Sequence, residues 1–73
     1  MLTSRLKIGS LIVDNGKVGV ITSIVEHGKW AEEGLFILTK SFEVQYSDHH
    51  RAVITEPSMR ELVEDGTIVI LAY

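Results

Sequence analysis

The pair Asn15-Gly16, set between the apolar runs Leu11-Ile12-Val13 and Val18-Gly19-Val20-Ile21, constrains this chain more than any other feature. Both residues accept positive φ, which a two-residue turn matched to the right-handed twist of paired strands requires. A hairpin is therefore predicted here, and a hairpin needs further strands or a packed helix before it is stable. The rest of the chain supplies both. Lys17 to Val25 holds Val18, Val20, Ile21, Ile24 and Val25, a β-branched density that suits a strand. Gly19 within it marks a bulge or a close backbone approach. His27-Gly28 closes that strand on this reading, and Lys29 to Gly34 is a polar loop carrying the single tryptophan, Trp30.

From Leu35 to Tyr46 the even positions read Phe36, Leu38, Lys40, Phe42, Val44 and Tyr46. That alternation predicts one bent strand, or two strands broken near Thr39-Lys40-Ser41. Ser47-Asp48-His49-His50 is a turn, and Arg51 to Thr55 is the returning strand. One helical turn follows: Thr55 caps it, Pro57 suits its first turn, and Met59, Leu62 and Val63 fall at i, i+3, i+4 spacing. Asp65-Gly66 stops it, and Thr67 to Leu71 is a final strand apolar on both faces.

Length sets the scale of the molecule. Seventy-three residues make one domain, 1–73, with one core. Cysteine is absent, which removes disulfides, thiolate catalysis and cysteine-based zinc sites together and fits a reducing compartment. Net charge is −3, with seven Lys and Arg against ten Asp and Glu, which disfavours nonspecific binding to nucleic acid. No apolar run approaches the roughly 20 residues that span a bilayer, so no membrane partner is expected. Met1 to Lys7 lacks an apolar stretch followed by a small-residue cleavage site, so no signal peptide is expected either.

The predicted order, four strands and a helical turn before a fifth, resembles SH3-like small barrels. Gly16-Lys17-Val18-Gly19-Val20-Ile21-Thr22-Ser23-Ile24 is similar to the KOW motif of ribosomal and transcription-elongation proteins. Ile8-Gly9-Ser10-Leu11-Ile12 resembles the opening of such barrels, and Phe42 to Asp48 resembles their aromatic-ended strand and acidic turn. In style the chain is most similar to short, stand-alone SH3-like proteins encoded by bacteriophages. The first hairpin is tighter than in KOW domains, which place a longer, often basic loop there. The resemblance implies a five-stranded SH3-like barrel with one short helical turn before the last strand. A cytoplasmic location is expected, in the host cytoplasm if the chain is phage-encoded.

Candidate sites are few. Asp48, His49, His50 and His27 are the residues a metal would use, but adjacent strand residues point to opposite faces, and no metal or other cofactor is expected. Glu32-Glu33 and Glu64-Asp65 flank turns, where acidic residues are usually solvated, and no nucleophile elbow or phosphate-cradling glycine loop is present, so the chain is not expected to be an enzyme. Trp30 either packs over the barrel's end, the reading its usual burial favours, or stands out as a contact residue. Binding candidates are Lys29, Trp30, Tyr46, His49, His50 and Arg51, a grouping that fold-level likeness to SH3-like barrels suggests. Ile68, Val69, Ile70 and Leu71 are candidates for an oligomer interface, because a strand apolar on both faces needs a second cover. The expected function is a non-enzymatic, self-associating module that contacts protein. The alternative is a KOW-like nucleic-acid-binding module using Lys17, Lys29, Lys40, Arg51 and aromatic stacking.

Overall fold

Asn15 and Gly16 adopt φ of 51° and 84°, and their turn joins β1 (Leu11–Asp14) to β2 (Lys17–Trp30) in an antiparallel ladder from Leu11↔Val20 to Asp14↔Lys17. These belong to a computed structural model that describes residues 5–73; the first four residues of the leader reading lie outside the described ones. β2 then pairs with β3 (Phe36–Tyr46), and β3 with β4 (Arg51–Thr55). Helix α1 (Glu56–Glu64) leads back to β5 (Ile68–Ala72), which pairs with β1. The result is one antiparallel sheet in the order β4-β3-β2-β1-β5, with α1 packed on β3, β4 and β5. Among the described residues no ladder joins β4 to β5.

The core lies between α1 and the inner face of the sheet: Ile12, Ile21, Phe42, Val44, Tyr46 and Ile68 from the strands, Met59 from the helix, and Leu6. A bulge in β2 makes this possible. Ile21 opposes Val44 and Ser23 opposes Glu43, leaving Thr22 as the extra residue. Ile21 and Ile24, three apart, would otherwise face opposite sides; the bulge turns both inward. Gly19 serves as the close approach instead: a Cβ there would lie 2.7 Å from the Val44 side chain and 3.0 Å from the Tyr46 ring.

Two elements, β2 and the helix, differ from expectation, and β3 takes the first of its two expected forms. β2 does not end at His27-Gly28 but continues to Trp30, so Lys29 and Trp30 are strand residues and the loop shrinks to Ala31–Leu35, with a 3₁₀ turn at Glu32–Gly34. β3 is one continuous strand through Thr39-Lys40-Ser41. The helical segment runs for nine residues, about two and a half turns at 3.6 residues per turn. Thr55 is its N-cap residue, although the Thr55 hydroxyl donates to Ser58 Oγ at 3.0 Å and not to a backbone amide. Gly66, at φ 84°, follows the C-cap Asp65.

β1 pairs with β2 only as far as Val20, and β4 with β3 only from Ser41. Five cross-strand pairs, Glu26↔Lys40 to Trp30↔Phe36, therefore extend beyond both neighbours as a two-stranded arm. At about 3.4 Å per residue the arm projects roughly 15 Å. The chain accordingly measures 42 × 23 × 17 Å.

Candidate functional site

The strand register divides the six binding candidates between opposite ends of β2 and β3. Trp30 pairs with Phe36 at one end and Gly19 with Tyr46 at the other, ten residues away on β3. Lys29 and Trp30 lie on the arm; Tyr46, His49, His50 and Arg51 lie beside the β1–β2 turn. They do not form one face.

At the polar end, Asp48 holds two turns together. Its carboxylate accepts from His50 Nδ1 and Lys17 Nζ, each at 2.9 Å, and from the His50 backbone amide at 3.1 Å. The hydrogen bond from the His50 side chain, then that from Lys17, holds the Asp48 carboxyl well below the usual carboxylate range. His49 sits at the turn's left-handed position, φ 70°, so His50 and not its neighbour reaches Asp48. Arg51 Nε donates to Gln45 Oε1 at 2.8 Å. Lys17, His50 and Arg51 rim an open concavity of about 390 Å³ together with Asp14, Asn15, Tyr46 and Ala52. Asp48 takes up the Lys17 ammonium, whereas the Arg51 guanidinium bonds to a neutral amide. His27 lies on β2 where the arm begins, far from this cluster, and among the described residues no group of three metal-ligating side chains occurs.

Tyr46, expected on a binding face, is a core residue, 8% exposed, whose hydroxyl donates to Asp14 Oδ2 at 2.6 Å. It shares the parity of Phe42 and Val44, and that was the signal for its burial. Burial first, and the bond to Asp14 second, push the phenol well above its ordinary value of 10.0. The neutral form therefore stabilises the fold fully below pH 10, and that contribution is lost as pH rises through the higher folded value. Tyr46→Phe is expected to cost about 1–3 kcal/mol at neutral pH, the range for a hydrogen bond to a charged acceptor. Urea titrations should also show a shallower loss of stability above pH 10 than in the parent chain. An unchanged alkaline slope would exclude Tyr46 as its source.

Trp30, weighed between packing over the barrel's end and standing out as a contact residue, is 73% exposed. Among the described residues no third strand flanks the arm, and α1 begins only at Glu56, beside the arm's base. Its ring meets Phe36 edge-on at 5.0 Å between centroids, and Phe36 lies across Gly28, filling the space where a side chain would stand. Leu35, Phe36, Ile37 and Leu38 are exposed as well. Sequence reasoning missed these four, although they form an apolar run on both faces, the signal that singled out the last strand. At the base, Leu6, Leu38, Phe42 and Pro57 with Lys40 and Glu56 line a recess of about 230 Å³.

The final strand alternates more strictly than its composition implies. Ile68 is 1% exposed and belongs to the core, and Ile70 is half-buried against it, which removes Ile68 from the interface candidates. Val69 and Leu71 face outward on the same side of the sheet as Leu11 and Val18, all four exposed.

No helix among the described residues is long and apolar enough to cross a membrane. No protein-family model matches the chain, and no curated protein or solved structure resembles it significantly.

Proposed function

We propose that this chain is a non-enzymatic, self-associating binding module on an SH3-like barrel of the phage-encoded kind, acting on protein surfaces in a reducing cytoplasm. The observation that carries this reading is the arm, which exposes Trp30, Leu35, Phe36 and Leu38 beyond the reach of the core. Aromatic side chains bury about 150–250 Å² each, so the arm offers roughly 500 Å² of apolar surface, the upper range for a monomer's largest patch. A two-stranded ribbon is itself marginal in water and gains from cover. The sheet order, with a helix before the last strand, supports the SH3-like architecture. Glu32 and Glu33 at the arm's turn, within a chain of net charge −3, favour a protein contact over the nucleic-acid alternative, because phosphates would be repelled there.

Sedimentation velocity on the full chain tests the self-associating half: a mass above the monomer at micromolar concentration is expected, and a clean monomer at high micromolar concentration defeats it. A gel shift with single-stranded RNA that weakens steeply with salt would replace the protein contact by the nucleic-acid reading.

A further inference from the structure

One face of the arm continues the face that forms the core. Ile24, Glu26, Gly28 and Trp30 on β2 share it with Phe42, Lys40, Leu38 and Phe36 on β3, in cross-strand register. On the body of the domain α1 covers this face. The helix starts at Glu56, and from there the face runs uncovered to the tip. Its relief is uneven. At the tip the Trp30–Phe36 pair stands proud; at the base lies the recess beside Leu6, Lys40 and Pro57. The Gly28↔Leu38 pair lies midway, two pairs from Trp30↔Phe36 and two from Glu26↔Lys40.

We propose that two copies of this chain pair through this face of their arms, about a two-fold axis at Gly28↔Leu38, each seating its Phe36 against the recess at the base of the other's arm and laying its Trp30 along the other's Glu26. The proposal rests on the self-association read above and names its surface. An axis lying between the ribbons and across the strands turns the faces toward each other and reverses the strand direction. Leu38 then meets Leu38, and Phe36 of one copy lies over Lys40 of the other, a cation–π arrangement. Protrusion and recess occur on one surface and reach to opposite sides of the axis, which is what an isologous contact requires and a foreign partner would not. The recess exceeds the roughly 150 Å³ that admits a benzene ring, so an aromatic side chain has room. Burying this whole face on both copies, with Glu26, Lys40 and the rim of the recess beside Trp30, Phe36 and Leu38, removes roughly 1,000 Å² of total surface, the lower bound for a specific interface.

Because the chain lacks cysteine, one introduced thiol reports one position. Leu38 is 65% exposed, so Leu38→Cys leaves the core intact. A short bismaleimide, spanning the about 10 Å between packed sheets, is expected to link Leu38→Cys into a covalent dimer while leaving Val69→Cys single. Trp30→Ser is expected to stay folded by circular dichroism and to weaken the dimer at least about thirty-fold, as for an aromatic anchor. Emission of the sole tryptophan is expected to shift to the red as the parent chain is diluted. A dimer that survives Trp30→Ser and links through Val69→Cys overturns the arm pairing and leaves self-association standing, through the outer face of β5. A chain that is monomeric throughout overturns both.

Discussion

Phe42→Ala is expected to cost the domain about 3–5 kcal/mol of stability, while Phe36→Ala, six residues earlier on the same face of the same strand, costs about 1 kcal/mol or less. Phe42 is 2% exposed, pairs with Ile24 on β2 and Ile54 on β4, and packs into the core cluster with Met59. Truncating a buried phenylalanine removes its transfer free energy and leaves a cavity, together about 3–5 kcal/mol. A chain of this length commands only about 4–11 kcal/mol at 0.05–0.15 kcal/mol per residue, so the loss takes about half of a mid-range stability. Phe36 is half exposed and covers little beyond Gly28 and Trp30, and its removal should cost about 1 kcal/mol or less. Urea denaturation followed by circular dichroism separates the pair. Equal losses in the two variants would mean that the arm is part of the core.

Gly19→Val carries the second large effect, and its sign distinguishes packing from propensity. Valine is a better strand residue than glycine by up to about 1 kcal/mol, so the strand pattern alone predicts stabilisation. Gly19 is buried, however, and a Cβ would already stand 2.7 Å from Val44 Cγ1 and 3.0 Å from Tyr46 Cδ1. The Tyr46 ring cannot swing aside without breaking its bond to Asp14, and Val44 is fully buried. Overpacking of this kind costs about 1–3 kcal/mol, more where neighbours are pinned. The expected result is a net loss of about 2 kcal/mol, partly recovered when Val44→Ala opens the space. A double-mutant cycle in urea reads the coupling directly. Gly19→Val at or above the parent's stability would show that the sheet relaxes and that the glycine answers no steric need.

The surface residues show where sequence patterning lost its grip. Phe36, Leu38, Phe42, Val44 and Tyr46 share one parity, yet the last three are core and the first two are exposed. Parity reports which side of a sheet a residue takes and carries no information about what covers that side. The same gap left Trp30 open between packing and exposure and moved Tyr46 from contact residue to core. It hid the arm, because nothing within residues 26–40 states that β1 stops pairing at Val20 or that β4 pairs with β3 only from Ser41. Asp48 was singled out with His49, His50 and His27 alike; the left-handed turn delivers only His50 of the three to it.

What the sequence determined by itself was local: the Asn15-Gly16 hairpin, the Asp65-Gly66 stop, Pro57 at the start of the helix, and the runs of β-branched and alternating residues that became strands. Each rests on dihedral preferences within a few residues, so each survives without knowledge of the rest. Tertiary structure decided coverage, namely how far α1 shields the sheet, where the arm leaves its neighbours, and which half of β5 turns inward. Those outcomes depend on contacts between residues distant along the chain, such as Phe42 with Ile54 and Ile12 with Ile70, whose partners no local pattern identifies.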